Sequence, residues 1–299
     1  IEETEKFGST VISAHNEDPY VNTGNEEIDD HHAYAGYTGA VNISIIPGEE
    51  IPPMVVSKGD HAIAINIYGE VWTWGRNDRG QLGDGTTVDR SYPVQVMIKN
   101  DEGQLVPLKN VMIVAAGEKH SVALTRDGVL YTWGDNSRGQ AGFNTTKKTI
   151  NEPTEVLVNG KPMENIVSVA AGDNFSLAVD KDGTVWSWGR NDAGVGQLGR
   201  KLSSGTSVYS PRKVYDVAPT PANGAMGSTY LGGENTGKVV KVFAAGSTAA
   251  AITEEGTVYV WGSNRYGQLG IGHDVITESS ASSNKNIPYR MYGIDGAVD

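Results

Sequence analysis

One short motif, present four times in the same order, most constrains how this chain can fold. Each copy ends in Trp-Gly, and all six tryptophans of the sequence fall within these copies. The copies are Val71-Trp72-Thr73-Trp74-Gly75, Leu130-Tyr131-Thr132-Trp133-Gly134, Val185-Trp186-Ser187-Trp188-Gly189 and Val258-Tyr259-Val260-Trp261-Gly262. The Trp-Gly pairs recur after 59, 55 and 73 residues, a period typical of propeller-like repeat proteins.

Other motifs accompany every Trp-Gly pair. A small-small-Gly segment precedes the last three copies, at 115–117, 170–172 and 244–246, and Ser57-Lys58-Gly59 takes its place in the first. A Gly-Gln motif follows each copy, at 80–83, 139–142, 196–199 and 267–270. The small residues suit an innermost strand, where large side chains would collide. The order of these motifs predicts four copies of one β-rich unit.

Turn signals lie between alternating apolar runs within each copy. They are Tyr68-Gly69, Asp127-Gly128, Asp182-Gly183 and Glu255-Gly256, and each predicts a tight β-hairpin. Residues i and i+2 of a strand share one face, so each strand directs its aromatic side chains towards a neighbouring sheet. The tryptophans predicted to form this structural core are Trp72, Trp74, Trp133, Trp186, Trp188 and Trp261.

Over residues 55 to 295 this pattern resembles the repeats of the regulator of chromosome condensation (RCC1-type) family. Those repeats carry a small-small-Gly strand, a hairpin, Trp-Gly and an Asn-x-x-Gly-Gln-Leu-Gly loop. The resemblance implies an all-β fold, a β-propeller of four-stranded blades, usually seven to a ring. Because only four repeats are recognisable, we expect an incomplete portion of a larger ring, whose open blade faces are covered by additional repeats or by self-association.

The motifs also set the expected domain boundaries. Residues 1–54 are predicted to be an acidic N-terminal segment or linker with one strand, at 40–46. The four repeats are then 55–110, 111–165, 166–238 and 239–295, and 296–299 begin a further repeat. The third repeat carries a long loop insertion, at 217–237, which is rich in Ala, Pro, Gly and Thr.

Charge and composition narrow the function classes. The net charge is −12, and residues 1–60 contain twelve acidic but only two basic side chains. An acidic arm on a nearly neutral body argues against nucleic acid as a partner. No run of 18 apolar residues occurs, which argues against membrane insertion. The first residue is Ile1, and together with the acidic arm this favours an extracellular or cell-surface protein, although a cytoplasmic one also fits.

Candidate sites for chemistry each have a simpler interpretation. Gly194 to Gly199 fit the G-x-G-x-x-G dinucleotide pattern, but they follow no βαβ unit, and a two-residue insertion in the repeat loop creates the match. Asp29-Asp30-His31-His32 could hold a divalent cation, yet a solvated acidic run is more common. The chain has no cysteine and no evident catalytic triad. We therefore expect no cofactor, no metal and no enzyme activity.

Two histidines invite a separate question, because His61 and His120 occupy equivalent places in the first two copies. The third and fourth copies are expected to have Phe175 and Ala249 there. A ring of matched histidine ligands is therefore not predicted, and both histidines are interpreted as structural.

The turns after each Trp-Gly pair are the expected binding surface, since exposed Arg and Tyr are frequent at interaction hot spots. The candidates for contact with a partner protein are Arg76, Asp78, Arg79, Asp135, Ser137, Arg138, Arg190, Asp192 and Tyr266. The leading hypothesis is a non-catalytic protein-binding scaffold within a larger secreted or surface protein of bacterial type. The resemblance also implies two alternatives, a guanine-nucleotide exchange factor for a small GTPase or an inhibitor of a secreted enzyme. A structural spacer without a specific ligand is a third alternative.

Overall fold

The computed structural model describes residues 51–192, 194–200, 206–214, 230–233, 236–271 and 284–291. These ranges contain four four-stranded antiparallel sheets and two two-stranded hairpins. They include no helix that is long and apolar enough to cross a membrane. The predicted all-β class is confirmed, because every regular element in these ranges is a strand.

Each four-stranded sheet is a simple meander, in which neighbours in the chain are neighbours in the sheet. The first sheet comprises β1 (Met54–Lys58), β2 (His61–Ile65), β3 (Val71–Gly75) and β4 (Arg90–Gln95), and the hairpin β5 (Met97–Lys99) and β6 (Leu105–Pro107) follows it. The second comprises β7 (Val111–Ala116), β8 (His120–Thr125), β9 (Leu130–Asp135) and β10 (Thr149–Glu155), followed by the hairpin β11 (Leu157–Val158) and β12 (Lys161–Pro162).

The remaining two sheets repeat this arrangement. The third comprises β13 (Ile166–Ala171), β14 (Phe175–Asp180), β15 (Val185–Gly189) and β16 (Val208–Lys213). The fourth comprises β17 (Val239–Ala245), β18 (Thr248–Thr253), β19 (Val258–Gly262) and β20 (Lys285–Arg290). Most of the 217–237 insertion lies outside the described residues.

The predicted hairpin turns are confirmed between the second and third strands. In the second sheet the N–H of Gly128 donates to the carbonyl of Thr125 at 3.0 Å, and Gly128 has φ +78°. The third sheet has the same turn at Gly183, with φ +87°. Glycine is the residue that takes this left-handed conformation at least cost, which explains why a glycine closes each turn.

The fourth strand of each sheet, which we call its outer strand, carries a proline where its pairing with the third strand is interrupted. In the first sheet, Thr73 pairs with Val94 and Gly75 pairs with Arg90, so the register shifts across the intervening residues, which include Pro93. The outer strands of the other sheets contain Pro153, Pro211 and Pro288 and show the same shift. Proline has no N–H for a sheet ladder and is found at edge strands and bulges.

The hydrophobic cores lie between consecutive sheets. Ile63 and Val71 of the first sheet pack in one cluster with Val114 and Trp133 of the second. Equivalent clusters join the second sheet to the third, and the third to the fourth. Because each sheet is packed against its neighbours in the chain, the architecture is that of successive propeller blades.

Candidate functional site

The connections between the third and fourth strands leave the same end of each sheet, because all four sheets share one strand order. We call the first parts of these connections, residues 76–83, 135–142, 190–199 and 263–270, the turn face. Residue 193 lies outside the described residues. The turn face contains all nine residues predicted to contact a partner.

The glutamine of each Gly-Gln motif fixes the turn in front of it. Its side-chain Oε1 accepts a backbone N–H from the residue two positions earlier, in the pairs Arg79–Gln81 (2.8 Å), Arg138–Gln140 (2.9 Å) and Tyr266–Gln268 (2.8 Å). In the third segment the two-residue insertion moves the donor to Asp192, which lies 3.0 Å from Gln197 Oε1. All four turns are thus closed by the same type of bond.

A buried asparagine supports three of these turns from the inside. The Oδ1 of Asn77 accepts the N–H of Leu82 at 2.9 Å, and Asn264 accepts that of Leu269 at the same distance. In the third segment the corresponding bond, from Leu198 to Asn191, is 3.4 Å long. In these three turns the backbone is thus bonded both to the glutamine and to the asparagine.

Three turns present an exposed side chain at one equivalent position. Arg79, Arg138 and Tyr266 each immediately precede the Gly-Gln motif, and all three are exposed. Tyr266 has 79% of its surface accessible, and the guanidinium of Arg265 lies 5.5 Å from the centre of its ring. These side chains lie at the same end of the first, second and fourth sheets, on turns that internal hydrogen bonds fix.

Other predicted contact residues are occupied by interactions within the protein. Arg76 pairs with Asp60 at 3.2 Å and with Asp78 at 2.9 Å, and Lys119 pairs with Asp78 at 3.0 Å. Burial opposes ionisation of Asp78, but hydrogen bonds from Lys119 and Gln81 outweigh it and lower the pKa of the carboxyl group. Asp78 therefore joins the first sheet to the second through Lys119, while Arg76 pairs within the first sheet.

The second and third turns contain similar internal pairs. Asp135 is buried and accepts hydrogen bonds from Ser137 Oγ and Gln140 Nε2, both at 2.9 Å. The Nε of Arg190 lies 2.6 Å from Asp192 Oδ1. The structure thus brings the nine predicted residues onto one face, and leaves Arg79, Arg138 and Tyr266 as the side chains most available to a partner.

The G-x-G-x-x-G sequence forms part of the third turn. It lies between β15 and β16, and both Gly194 and Gly196 have φ +74°. No helix begins there in the described residues. A dinucleotide fingerprint requires a strand, this loop and then a helix whose N-terminus meets the phosphates, so the match reflects turn geometry.

A backbone carbonyl of the turn face binds each sheet to the next. The Trp133 indole Nε1 and the Ser121 hydroxyl both donate to the carbonyl of Gln81, at 2.8 and 2.7 Å. The same arrangement joins Trp188 and Ser176 to the carbonyl of Gln140 (3.0 and 2.9 Å), and Trp261 to that of Gln197 (3.0 Å). Sequence reasoning missed this role, because a main-chain acceptor leaves no signature in the residue type.

The last glycine of each Gly-Gln motif makes room for the tryptophan of the following sheet. A Cβ atom at Gly83 would lie 2.8 Å from Trp133 Nε1, and one at Gly199 would lie 2.8 Å from Trp261 Nε1. Real Cβ atoms do not approach that closely. The recurring Trp-Gly and Gly-Gln-Leu-Gly motifs are therefore two halves of one contact between sheets.

Two buried histidines take part in the same interfaces. His61 Nε2 lies 3.1 Å from Ser121 Oγ, and His120 Nε2 lies 2.9 Å from Ser176 Oγ. Each serine gives its proton to a glutamine carbonyl, so its oxygen accepts the Nε2–H of a neutral imidazole. A catalytic serine would instead donate its proton to the histidine. These pairs are structural hydrogen bonds.

Burial keeps both imidazoles neutral. Loss of hydration lowers the pKa of His61 to about 4. The same effect, with smaller contributions from the charges of His61 and Lys58, lowers the pKa of His120 to about 3. Both values lie well below 6.5, the ordinary value for the side chain.

Strand register corrects one sequence alignment. His61, His120 and Phe175 pair with Gly75, Gly134 and Gly189, and the residue that pairs with Gly262 is Thr248. The prediction of Ala249 at this place was wrong, because Ala249 pairs with Trp261 and so corresponds to Ser121 and Ser176. The fourth copy has one residue fewer than the second and third between its small-small-Gly segment and β18, which displaced the alignment.

No group of three or more His, Cys, Asp and Glu side chains that could hold a metal ion occurs within the described ranges. The stretch Asp29-Asp30-His31-His32 lies outside them. The turn face itself offers hydrogen-bond donors and one large aromatic ring, which suits recognition of another protein.

The fold and the turn face together define a propeller-type repeat scaffold. The family model of the RCC1-like domain matches residues 28–294. The chain therefore belongs to the RCC1-like domain family, as the motif order indicated.

The chain is similar to parts of several longer proteins. Human HERC2, an E3 ubiquitin-protein ligase, is 34% identical over 218 residues, which are 72% of this chain and 4% of HERC2. The RCC2 homologue of Danio rerio is 31% identical over 218 residues, covering 70% of this chain and 41% of that protein. The solved structure of Prp20p from Saccharomyces cerevisiae has a TM-score of 0.56 at 22% identity, and the match covers 83% of this chain and 51% of Prp20p. The chain thus spans about half or less of each relative, and the likeness to Prp20p shows the fold.

Proposed function

We propose that this chain is a non-catalytic protein-binding propeller and that the turn face is its binding surface. One observation carries the proposal: Arg79, Arg138 and Tyr266 stand exposed at one equivalent position, on backbone that internal hydrogen bonds already fix. A preorganised turn loses little conformational entropy on binding. Arginine and tyrosine are also among the residues that contribute most to protein–protein affinity.

The family supports binding as the general function. The structure of Prp20p was described together with its binding to Gsp1p and histones. HERC2 is named as an E3 ubiquitin-protein ligase, but this chain corresponds to 4% of it, too little to extend that activity here. Binding to another protein is therefore the function that we carry over, and its partner is a matter for experiment.

Nucleotide exchange on a small GTPase is the second candidate. The family resemblance supports it, and the 217–237 insertion is the segment long enough to act as a wedge in such a reaction. Inhibition of a secreted enzyme, a spacer role and an extracellular or surface location remain predictions from the sequence.

The experiment compares one triple variant with a matched control. Arg79→Ala, Arg138→Ala and Tyr266→Ala remove the three exposed turn side chains. Lys161→Ala, Lys181→Ala and Leu105→Ala remove three exposed side chains at the opposite end of the sheets. Each protein is immobilised, and binding of Gsp1p, of histones and of a small GTPase is measured by interferometry.

We expect the turn-face variant to bind at least about tenfold more weakly than the parent, and the control to bind like the parent. Equal binding by all three proteins would exclude the turn face as the binding surface. Faster nucleotide release from the GTPase in the presence of the parent would favour the exchange function.

A further inference from the structure

A groove lies beside the outer strand of the second sheet, where that sheet meets the third. It is lined by residues 142–147 at the end of the β9–β10 connection, by most of β10, by the β11–β12 hairpin and by Ser210 of β16. Its volume of about 630 Å³ falls within the range of about 300–1,000 Å³ that is typical of ligand sites. The second and third sheets share a hydrophobic core, so the groove is part of a packed interface.

The loop that lines one part of this groove differs from its counterpart in the first sheet. There, Asp84 follows the Gly-Gln motif, and its carboxylate accepts hydrogen bonds from Asn77 Nδ2 at 3.0 Å and from Thr86 Oγ1 at 2.7 Å. The same carboxylate accepts a bond of 2.8 Å from Arg90 Nε. The first loop is thus closed by a charged network within itself.

Apolar residues replace both charged members of this network in the second sheet. Phe143 stands at the place of Asp84, and strand register puts Ile150 at the place of Arg90. Both are partly exposed, and both line the groove. The loop backbone is held by Asn136, whose Nδ2 donates to the main-chain carbonyl of Phe143 at 2.9 Å. An aromatic ring is therefore presented in the groove on a backbone that the protein already holds.

Polar side chains with unused hydrogen-bonding groups also line the groove. Within the described ranges, the side chains of Asn144, Asn159, Thr149 and Ser210 make no hydrogen bond to the protein. Asn159 lies in the two-residue turn of the β11–β12 hairpin, with φ +54° there and +78° at Gly160. An amide offers an acceptor oxygen and two N–H donors, and a hydroxyl both donates and accepts. The groove thus offers a mixed set of donors and acceptors.

Few charges accompany these polar groups. Lys147 and Glu152 are the charged side chains of the groove lining, and Glu152 pairs with Lys99 at 3.4 Å. Phosphate groups are held in proteins by several cationic or N–H donors, and nucleic acids by clusters of Lys and Arg. A single ammonium group therefore argues against a nucleotide or a nucleic acid as the ligand.

The edge of β10 is also unsuited to an added peptide strand. A peptide that extends a sheet needs a row of free main-chain groups along the edge strand. Pro153 has no N–H, and the carbonyl of Asn151 already accepts the N–H of Gly85 at 2.9 Å. A ligand of this groove must therefore be recognised by side chains.

We propose that this groove binds a neutral oligosaccharide. Each sugar hydroxyl donates and accepts hydrogen bonds, which matches the free amides of Asn144 and Asn159 and the hydroxyl of Thr149. The C–H face of a sugar ring is apolar and packs on the face of an aromatic ring, which Phe143 supplies. The exposed side chains of the turn face take no part in this site, so the proposal does not rest on the proposed function.

The test is isothermal titration of the full chain with maltohexaose, cellohexaose, chitohexaose and mannohexaose. We expect at least one of these neutral sugars to bind in a one-to-one ratio. Phe143→Ala and Asn159→Ala are expected to weaken that binding at least about tenfold. Phe143→Tyr keeps an aromatic ring and is expected to retain it. Val88→Ala is the matched control, because Val88 is 58% exposed in the equivalent connection of the first sheet, and it should bind like the parent.

Three results would overturn the proposal. The first is the absence of binding to all four sugars at millimolar concentration. The second is binding of a heparin hexasaccharide without binding of any neutral sugar, which would show that charge rather than hydroxyl recognition dominates. The third is an unchanged affinity in both Phe143→Ala and Asn159→Ala, which would place the sugar elsewhere on the molecule.

Discussion

The indole Nε1 of Trp133 donates a hydrogen bond of 2.8 Å to the carbonyl of Gln81, and so joins the third strand of one sheet to the turn of the preceding sheet. This bond explains why the two most recognisable motifs of the sequence occur together. Neither motif is complete within its own repeat. The stability of the described sheets is therefore expected to depend on contacts that cross from one repeat to the next.

Replacing Trp133 should lower the free energy of unfolding more than replacing Trp74, its equivalent in the first sheet. Trp133→Phe loses a buried hydrogen bond and leaves a small cavity, so we expect a loss of about 2 kcal/mol in the free energy of unfolding. Trp74→Phe should cost under about 0.5 kcal/mol, because Trp74 is partly exposed. Urea unfolding of the parent and of both variants measures the difference. Similar losses would contradict the role assigned to the bond.

Two neighbouring glycines separate the effect of backbone strain from that of steric overlap. Gly83 and Gly85 have φ +68° and +78°, so alanine is strained at both. A Cβ at Gly83 would overlap the Trp133 ring, whereas one at Gly85 would meet only Glu152 Oε1, at 3.8 Å. We expect Gly85→Ala to cost about 1 kcal/mol and Gly83→Ala about 2 kcal/mol more. Thermal and urea unfolding check this order, and equal losses would argue against a close fit between Gly83 and the Trp133 ring.

Acid should weaken the fold before its carboxylates are protonated. The pKa of His61 is about 4 and that of His120 about 3 in the folded chain, whereas both return to about 6.5 on unfolding. The unfolded state therefore binds more protons below pH 6.5, and stability is complete above that pH and declines below it. Between about pH 6 and 4 the slope should approach about two protons per chain. Urea unfolding midpoints across this range measure it, and a flat profile would be inconsistent with buried neutral histidines.

The residue at the histidine position of one sheet and its neighbour in the next sheet differ together from one interface to another. His61 and His120 face serines of the next sheet, whereas Phe175 shares a core cluster with Ala249, which stands at the serine position. The double variant His120→Phe with Ser176→Ala copies the third pairing into the second interface. We expect it to be about 1 kcal/mol more stable than the sum of the single changes predicts. A double-mutant cycle measures this coupling, and additive losses would mean that the pairing has no energetic basis.

Much of the fold could be predicted from residues that favour one backbone conformation. Asp127-Gly128 marked a hairpin because glycine tolerates the positive φ found there, and the position of Trp-Gly marked the strand after it. The hairpins β5–β6 and β11–β12 were not predicted, since Met97–Lys99 and Leu157–Val158 are too short to show a period.

The candidate site was predictable in its location more than in its contacts. The turns after Trp-Gly were found, but the pairing of Arg76 with Asp60 depends on how two turns of the first sheet meet, and that of Lys119 with Asp78 on how the first two sheets approach each other. Ala249 was misplaced because the small-small-Gly segment of the fourth copy lies one residue closer to β18, so an alignment on that segment shifts the following strand by one position. A contact between two repeats depends on how two distant segments of the chain are placed, so the pattern of residues within one repeat does not predict it.

The carbonyl of Gln81 has a consequence for how such a chain can change over time. Since the tryptophan and the serine belong to one repeat, and the glutamine carbonyl and the glycine to the repeat before it, a substitution in one repeat is constrained by its neighbour. A whole repeat with matching ends can be inserted or lost, because each junction uses the same parts. The contact between two consecutive repeats is then the part that must be kept. Members of this family should therefore differ more in repeat number and in turn side chains than in the residues of that contact.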